Sequence, residues 1–254
     1  MSDNRIVKED QGGVNARILA RHAKVDFRRV EAASVKMPMR FASAEGKRLF
    51  VRMFATLQLN VHFISVIART RLEHDDVAKV ESAIRDQIDA ASASLDKAID
   101  GAEALFKAHG ITAAATYDTL ALEIEVHVLS SISRRYLEAL TKLDQLMPLL
   151  QTLEIHEVIS AQAVDQQRAA LKRKVRDVAN AARNLATGLR RRMNALNARD
   201  DEPQDEQGMA AASQPAAEPA DTHADYAEAS AEVLVESSVD PSPCAAESSD
   251  ERSL

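Results

Sequence analysis

The sequence lacks several residue types that point to particular classes of protein. It has no tryptophan, a single cysteine, and only seven glycines and seven prolines in 254 residues. One cysteine excludes an intramolecular disulfide framework and a zinc site built from several cysteines, which fits a reducing cytoplasm. We therefore expect a cytoplasmic protein. Because glycine and proline mark turns, their scarcity predicts a helix-rich chain.

Uninterrupted apolar runs are also missing. The most apolar stretch, residues 49–68, contains Arg52, Gln58, Asn60 and His62, and a helix that spans lipid rarely contains four such groups. The N-terminus has no apolar core of the kind that a secretory signal needs. The sequence therefore predicts neither a membrane segment nor a signal peptide.

Motifs for catalysis and for cofactor binding are missing as well. No two of the seven histidines show HxxxH spacing, and the glycines do not form a phosphate-binding loop. The triplet His74-Asp75-Asp76 is the nearest approach to a metal site, and a helix-capping turn explains it more simply. We therefore expect no enzyme activity, no metal, no cofactor and no small-molecule substrate.

Charge divides the chain into two parts. Residues 200–254 contain fifteen acidic residues and one arginine, a net charge of −14, so residues 1–199 carry +7 although the whole chain carries −7. The acidic segment nearly lacks large apolar side chains and cannot bury enough surface to fold. We predict disordered segments at residues 1–13 and 200–254, and a folded helical domain at 14–199 whose positive charge suits a polyanionic partner.

Helical periodicity dominates this domain. The pattern predicts helices near residues 14–33, 43–71, 75–109, 133–147 and 161–199. In the third and the last of them, apolar residues alternate at spacings of three and four, which is typical of coiled-coil seams. Such seams can pack on each other within one chain or on a second subunit, so a homo-oligomer formed through the long helices is one expectation.

Two stretches break the helical periodicity. SVKMPMRFASAEGKRLF, residues 34–50, and TLALEIEVHVLSSISRRYL, residues 119–137, alternate apolar and polar residues as strands do, and then lead through a serine into a helix. They align at a constant offset of 87 residues, which places Val35, Met37, Met39, Phe41 and Ser43 on Leu122, Ile124, Val126, Val128 and Ser130, and Lys47-Arg48 on Arg134-Arg135. The match ends where Leu57 meets Asp144.

This repeat suggests a partner for each strand. An isolated strand leaves its backbone groups unpaired, so we predict an antiparallel two-stranded ribbon with a serine-capped helix after each strand, in repeats at about 34–70 and 119–150. The alternative is that residues 119–128 simply begin the next helix. The predicted fold is mainly α: a long-helix bundle with coiled-coil-like seams and this small ribbon.

The segments MPMRFASAEGKRLF and LEIEVHVLSSISRRYLEALTKLDQLM resemble the repeated strand-then-helix pattern of AcaB-like proteins of conjugative plasmids and integrating conjugative elements. The resemblance covers roughly residues 34–190. It implies a fold like that of ribbon-helix-helix DNA-binding proteins and a role as a transcriptional activator of transfer genes. In such proteins the ribbon enters the major groove, outward side chains read base edges, and helix N-termini hold phosphates.

The resemblance also implies roles for individual residues. Lys36 and Arg40 would read bases, and the phosphate contacts would fall near the helix starts, at Ser43, Lys47, Arg48, Ser130, Arg134 and Arg135. Two features depart from the pattern: Pro38 removes a ladder donor from the first strand, and the second strand presents Glu123, Glu125 and His127. Carboxylates in a phosphate-lined groove are repelled, although glutamate can accept a hydrogen bond from cytosine N4.

Basic residues on other helices are further candidates for DNA contact. The last helix carries Lys172, Arg173, Lys174, Arg176, Arg190, Arg191 and Arg192, and the first predicted helix carries Arg17, Arg21, Lys24, Arg28 and Arg29. The alternative interpretation is a solvated helix surface, or an intramolecular partner for the acidic tail.

We therefore expect a DNA-binding transcriptional regulator of transfer or maintenance genes of a mobile genetic element, with double-stranded DNA as its partner. The alternative is a coiled-coil interaction or scaffold protein of a conjugative element that does not contact DNA. In the first case a flexible tail of charge −14, tethered to a basic surface, would compete with DNA for that surface.

Overall fold

Five helices and two short strands make up the computed structural model, which describes residues 10–24 and 32–200. In chain order the elements are α1 (Val14–Lys24), β1 (Val35–Phe41), α2 (Ala44–Thr70), α3 (His74–Ala108), β2 (Leu122–Val128), α4 (Ser131–Ile155) and α5 (Ala161–Asp200). All of them belong to one compact unit, Met1–Gln207, whereas a second unit, Gly208–Leu254, lies outside the described residues. The predicted mainly helical fold with a small ribbon is confirmed.

The start of the chain differs from the prediction. Gln11–Gly13, placed in a disordered segment by the sequence pattern, form a tight turn in which Gly12 and Gly13 have positive φ angles of 66° and 62°. Asp10 caps α1 by accepting hydrogen bonds from the backbone N–H groups of Asn15 and Ala16 at 2.9 and 3.1 Å. Residues 32 and 33, expected at the end of the first helix, are not helical. Asp200, the first residue of the predicted disordered tail, is the last residue of α5, and the remaining predicted disorder, residues 1–9 and 201–254, lies outside the described residues.

The two strands pair with each other as predicted. They run antiparallel, from the pair Val35–Val128 at one end to Phe41–Leu122 at the other, with Pro38 opposite Glu125 in the middle. The alternative, in which residues 119–128 begin a helix, is therefore wrong. On β2 every apolar residue is buried, whereas on β1 only Phe41 is fully buried, so the ribbon covers the core mainly through its second strand.

Serine caps start the helix that follows each strand. The Oγ of Ser43 accepts a hydrogen bond from the N–H of Gly46 at 2.9 Å, and the Oγ of Ser130 accepts one from the N–H of Ser133 at 3.1 Å. The two caps and the two donors are each 87 residues apart, as the repeat predicts. Each cap satisfies one of the N–H groups that a helix start leaves without a partner.

The repeat continues beyond the point where it fails in the sequence. Helix α2 contains two π-helical segments, Phe50–Phe54 and Phe63–Ile67, and a π turn accommodates one extra residue in a helix. The buried residues of α2 then match those of α4 at an offset of 86 after the first segment and 85 after the second, as in the pairs Leu57–Leu143, Val61–Met147, Ile64–Leu150 and Ala68–Leu153. Two one-residue insertions therefore explain why Leu57 met Asp144 in the ungapped alignment.

Helices α3 and α5, which follow α2 and α4, also match each other and complete the duplication. The turn before α5 is two residues longer than the turn before α3, so the offset returns to 87 and the helices begin at His74 and Ala161. Their buried seams coincide at that offset, in the pairs Val77–Val164, Ile84–Leu171, Ile88–Val175, Ala91–Val178, Leu95–Ala182 and Ala102–Leu189. The chain consists of two strand-helix-helix units, β1–α2–α3 (the first unit) and β2–α4–α5 (the second unit).

The two units are interleaved. Helix α3 of the first unit packs along α4 of the second, and α5 of the second packs along α2 and α3 of the first. The hydroxyl of Tyr136, on α4, donates a hydrogen bond to the carbonyl of Val175 on α5 at 3.0 Å. Both coiled-coil-like seams are thus buried inside this chain and are satisfied without a second subunit, while the predicted homo-oligomer stays a prediction.

Helix α2 has the length and composition of a membrane span. It has 27 residues, and its most apolar window has a mean hydropathy of 1.4. The same properties are expected of a central helix in a folded core, and Phe50, Phe54, Leu57 and Ile64 are each at most 2% exposed here. Burial accounts for part of the apolar character of α2, since 39% of its most apolar window is buried inside the fold.

Candidate nucleic-acid interface

The outward surface of the ribbon carries the residues that the sequence singled out for base reading. This surface, called the ribbon face below, consists of Lys36, Pro38, Arg40, Glu123, Glu125 and His127. Across it, Lys36 Nζ lies 3.5 Å from Glu125 Oε2 and Arg40 Nε lies 3.7 Å from Glu123 Oε1. The ribbon face therefore brings the two predicted cations together with the two carboxylates of the second strand.

These ion pairs hold the cations only weakly. The four side chains are 60–77% exposed, and an exposed pair contributes about 0–1 kcal/mol. A bidentate contact from a basic side chain to guanine contributes about 1–3 kcal/mol of discrimination. Lys36 and Arg40 can thus exchange a carboxylate for a base edge at small cost, although the carboxylates of Glu123 and Glu125 remain on the same surface.

Two of the predicted phosphate contacts lie inside the protein. Ser43 is fully buried, and both its N–H and its hydroxyl donate to Asp144 of α4, at 2.8 and 2.5 Å. Lys47 is 6% exposed and donates from Nζ to the carbonyl of Leu120 at 2.7 Å. Burial lowers the pKa of Lys47, an effect partly opposed by Asp10 and Asp144. The prediction that these two residues contact phosphate is therefore corrected: both belong to the junction between the units.

The other predicted contacts near the helix starts are better placed for DNA. Arg48 is exposed and makes no ion pair with any residue in the described part of the chain. Arg134 lies 3.6 Å from Glu138, and Arg135 lies 3.1 Å from Asp89 of α3, in exposed pairs. Ser130 is half-buried and accepts the capping hydrogen bond. Three arginines therefore stay accessible, one from the first unit and two from the second.

A basic stripe runs along the solvent side of α5. Arg173, Arg176, Arg183 and Arg191, called the α5 stripe below, are all exposed and lie on the helix side away from the buried seam. With 1.5 Å per residue, they extend over about 27 Å. Arg183 was missed by the sequence analysis because it is not part of a basic cluster, and its helical register relative to Arg173 and Arg176 was the signal that could have identified it.

Three other basic residues of α5 contact neighbouring helices. Lys174 donates to Ser94 at 2.9 Å, Arg192 pairs with Asp76 at 3.1 Å, and the guanidinium of Arg190 lies 4.2 Å from the ring centre of Phe63. Burial lowers the pKa of Arg190, and Lys172 is half-buried. These placements argue for a structural role of Lys174, Arg190 and Arg192 beside α2 and α3.

The first-helix candidates contribute less to the described surface. Arg17 donates to the carbonyl of Gly12 at 2.6 Å, and Arg21 is half-buried. Arg28 and Arg29 lie outside the described residues, as does the side chain of Lys24.

Helices α3 and α5, which occupy equivalent positions in the two units, have opposite net charges. Helix α3 has eight acidic and four basic residues, whereas α5 has ten basic and three acidic residues. The two helices run antiparallel and in contact, as the pairs Lys174–Ser94 and Arg192–Asp76 show. The duplication has thus kept the apolar seam and changed the electrostatic character of the exposed side.

Within residues 10–24 and 32–200, no group of three His, Cys, Asp or Glu side chains is arranged to hold a metal ion. The expectation that the chain is not an enzyme and needs no cofactor stays a prediction.

Comparison with known proteins supports the fold. No protein-family model matches the chain, and no curated protein matches it. A solved structure, that of selenomethionine-containing AcaB from uropathogenic E. coli, is similar to this chain with a TM-score of 0.61 and 20% sequence identity, over 67% of this chain and 88% of that one. The fold of this chain is therefore similar to that of AcaB over about two thirds of its length, and the resemblance to AcaB-like proteins is supported at the level of the fold.

Proposed function

We propose that this chain is a DNA-binding transcriptional regulator of transfer or maintenance genes in a mobile genetic element. The observation that carries the proposal is the antiparallel ribbon, which places Lys36 and Arg40 on an exposed surface between two capped helices. A two-stranded ribbon fits the major groove of B-DNA. The context of a mobile element comes from the resemblance to AcaB-like proteins.

The α5 stripe supports the same proposal through electrostatics. Because helix α5 has a net charge of +7, it attracts the phosphate backbone over distances of about 8–10 Å at ordinary salt. Such attraction is independent of sequence and accelerates association. The ribbon face then supplies base recognition, while the stripe supplies affinity.

The proposal is tested by fluorescence anisotropy on a labelled duplex of about 30 base pairs from the promoter region of the chain's own element. We expect log affinity to fall linearly with log salt between about 50 and 200 mM, with a slope of about −0.9 per neutralised phosphate. Binding should exceed that of a random duplex, and Lys36→Ala or Arg40→Ala should each reduce the preference by about tenfold.

Lys97→Ala is the matched control for these variants. Lys97 lies on the exposed side of α3 without an ion pair to a described residue, so its removal changes the net charge equally and leaves both proposed surfaces intact. If Lys97→Ala weakens the preference as much as Lys36→Ala does, the ribbon face does not read DNA. An absence of binding at about 50 mM salt would instead favour the scaffold alternative.

The acidic tail gives a separate test of the electrostatic part. Residues 201–254 lie outside the described residues, and their negative charge motivates the hypothesis that they compete with DNA for the basic surface. Deletion of the tail should tighten DNA binding at about 50 mM salt and have a smaller effect at about 200 mM. Unchanged affinity at low salt would contradict tail competition and leave the ribbon proposal standing.

A further inference from the structure

The register of the ribbon defines a pseudo-twofold axis inside the single chain. Pro38 pairs with Glu125, and the same two residues are equivalent in the duplication because they are 87 positions apart. An axis that exchanges the two units therefore passes through this pair. In a ribbon formed by two identical subunits, residues related by such an axis are the same, and a palindromic DNA site mirrors that symmetry.

On the side of the ribbon that faces the core, the residues related by the duplication are all apolar. The pairs are Val35 and Leu122, Met37 and Ile124, Met39 and Val126, and Phe41 and Val128. All eight side chains are apolar, and those of β2 are buried in the core. The symmetry is thus retained on the side of the ribbon that faces the core, where Val35 at the ribbon end is nevertheless 68% exposed.

On the ribbon face the same symmetry is lost. The duplication relates Lys36 to Glu123, Pro38 to Glu125, and Arg40 to His127. A cation therefore corresponds to a carboxylate, and an arginine corresponds to a histidine whose Nδ1 lies 3.1 Å from the hydroxyl of Ser34. The two halves of the ribbon face present different hydrogen-bonding groups to DNA.

These groups recognise different bases. Lysine and arginine donate to the N7 and O6 acceptors of guanine, whereas a glutamate carboxylate accepts from the N4 amino group of cytosine. The opposite net charges of α3 and α5 add a second electrostatic asymmetry between the two units. A palindrome would present equal half-sites to these unequal surfaces.

We infer that a single copy of this chain recognises a non-palindromic duplex. One half-site lies under Lys36 and His127 and the other under Arg40 and Glu123, with Pro38 and Glu125 on the axis between them. Guanine is contacted by a cation in each half-site, and Glu123 accepts from a cytosine amino group in the Arg40 half-site alone. This inference rests on the proposed function. It adds that the second-strand carboxylates are specificity-determining residues and that one chain forms the complete reading surface.

The test is in vitro selection of the full chain on duplexes with a randomised core, followed by sequencing and by measurement of the mass of the complex. We expect a selected motif that does not match its own reverse complement, with one chain per site. A palindromic motif, or two chains related by symmetry on each site, would overturn the inference while leaving DNA binding intact. If no motif is enriched and no duplex binds at about 50 mM salt, the proposed function itself fails.

A symmetrised variant makes the test sharper. Glu123→Lys combined with His127→Arg gives the second strand the outward cations of the first, at positions that are exposed or half-exposed in the fold. In this variant each end of the ribbon presents one lysine and one arginine, so we expect it to bind a palindrome with guanine in both half-sites about tenfold more tightly than the unmodified chain does. Circular dichroism confirms that the variant folds, and Lys97→Ala serves as the control. An equal gain on all duplexes, including random ones, would show a charge effect only and would overturn the assignment of the second strand to base reading.

Discussion

The carboxylate of Asp144 gives a direct test of how the two units are joined. Its Oδ1 accepts hydrogen bonds from the N–H and the hydroxyl of Ser43, and its Oδ2 accepts one from the N–H of Ala42 at 2.9 Å. The residue lies on α4 and is 7% exposed, so the second unit holds the strand-to-helix junction of the first. We predict that Asp144→Ala is strongly destabilising.

The magnitude follows from the number and type of these bonds. The substitution leaves two backbone N–H groups without their acceptor in a poorly hydrated site, and each such group costs about 1–3 kcal/mol. Bonds to a charged acceptor lie at the upper end of that range. We therefore expect a loss of about 3–5 kcal/mol, against a total stability of about 5–15 kcal/mol for a domain of ordinary size.

Gln58 supplies the matched control at the other junction. It lies on α2, its Oε1 accepts from the N–H of Leu129 at 3.2 Å, and its Nε2 donates to the carbonyl of His127 at 3.0 Å. Because Leu129 is equivalent to Ala42 in the duplication, Gln58→Ala removes the corresponding contact, made with neutral groups, and should cost about 1–3 kcal/mol. The assay is urea unfolding followed by far-UV circular dichroism. A cost below about 1 kcal/mol for Asp144→Ala, or a larger cost for Gln58→Ala, would refute the reasoning.

Three further predictions concern single side chains. Tyr136→Phe removes the buried hydrogen bond to the carbonyl of Val175 and should lower the free energy of unfolding by about 1–2 kcal/mol in the same urea assay. Lys47→Met should leave the salt dependence of DNA binding unchanged because the ammonium is buried, whereas Arg48→Met, one position along, should reduce the slope by about one; equal effects would contradict the corrected assignment. Burial lowers the pKa of His62 below the ordinary 6.5, so the unfolded chain takes up a proton first as the pH falls. The contribution of His62 to the free energy of unfolding is therefore fully present above the unfolded pKa of about 6.5 and is lost as the pH falls through it toward the lower folded pKa. His62→Gln should reduce that loss in urea titrations at each pH.

Local patterns in the sequence were sufficient to predict both strands and most helices. The alternation around Val35 and Leu122, the serines at Ser43 and Ser130, and the seams of α3 and α5 are short-range signals, because each reflects the side-chain period of a strand or helix or the needs of a helix end. The offset of 87 residues predicted the pairing partner of each strand, since a strand in a helical protein needs one.

The extent of the duplication could not be predicted in the same way. An ungapped comparison fails at Leu57, and only the helical geometry reveals that the segments Phe50–Phe54 and Phe63–Ile67 each accommodate an extra residue. A longer turn before α5 compensates for both. Insertions that are absorbed as π turns leave no local sequence signal, because the residues on either side keep their apolar spacing.

The candidate site also combines features that the sequence predicts with features that only the structure reveals. The sequence alone determined the charge of the ribbon face and identified Lys36 and Arg40 as its cations, since alternation places them on one side of a strand. Only the tertiary structure decided the strand register, which pairs Lys36 with Glu125 and Arg40 with Glu123. It also decided that Ser43 and Lys47 are buried at the junction with Asp144 and Leu120. The physical reason is distance along the chain. Accessibility and ion pairing depend on residues 73 to 101 positions away, and no periodicity within one element reports on contacts of that range.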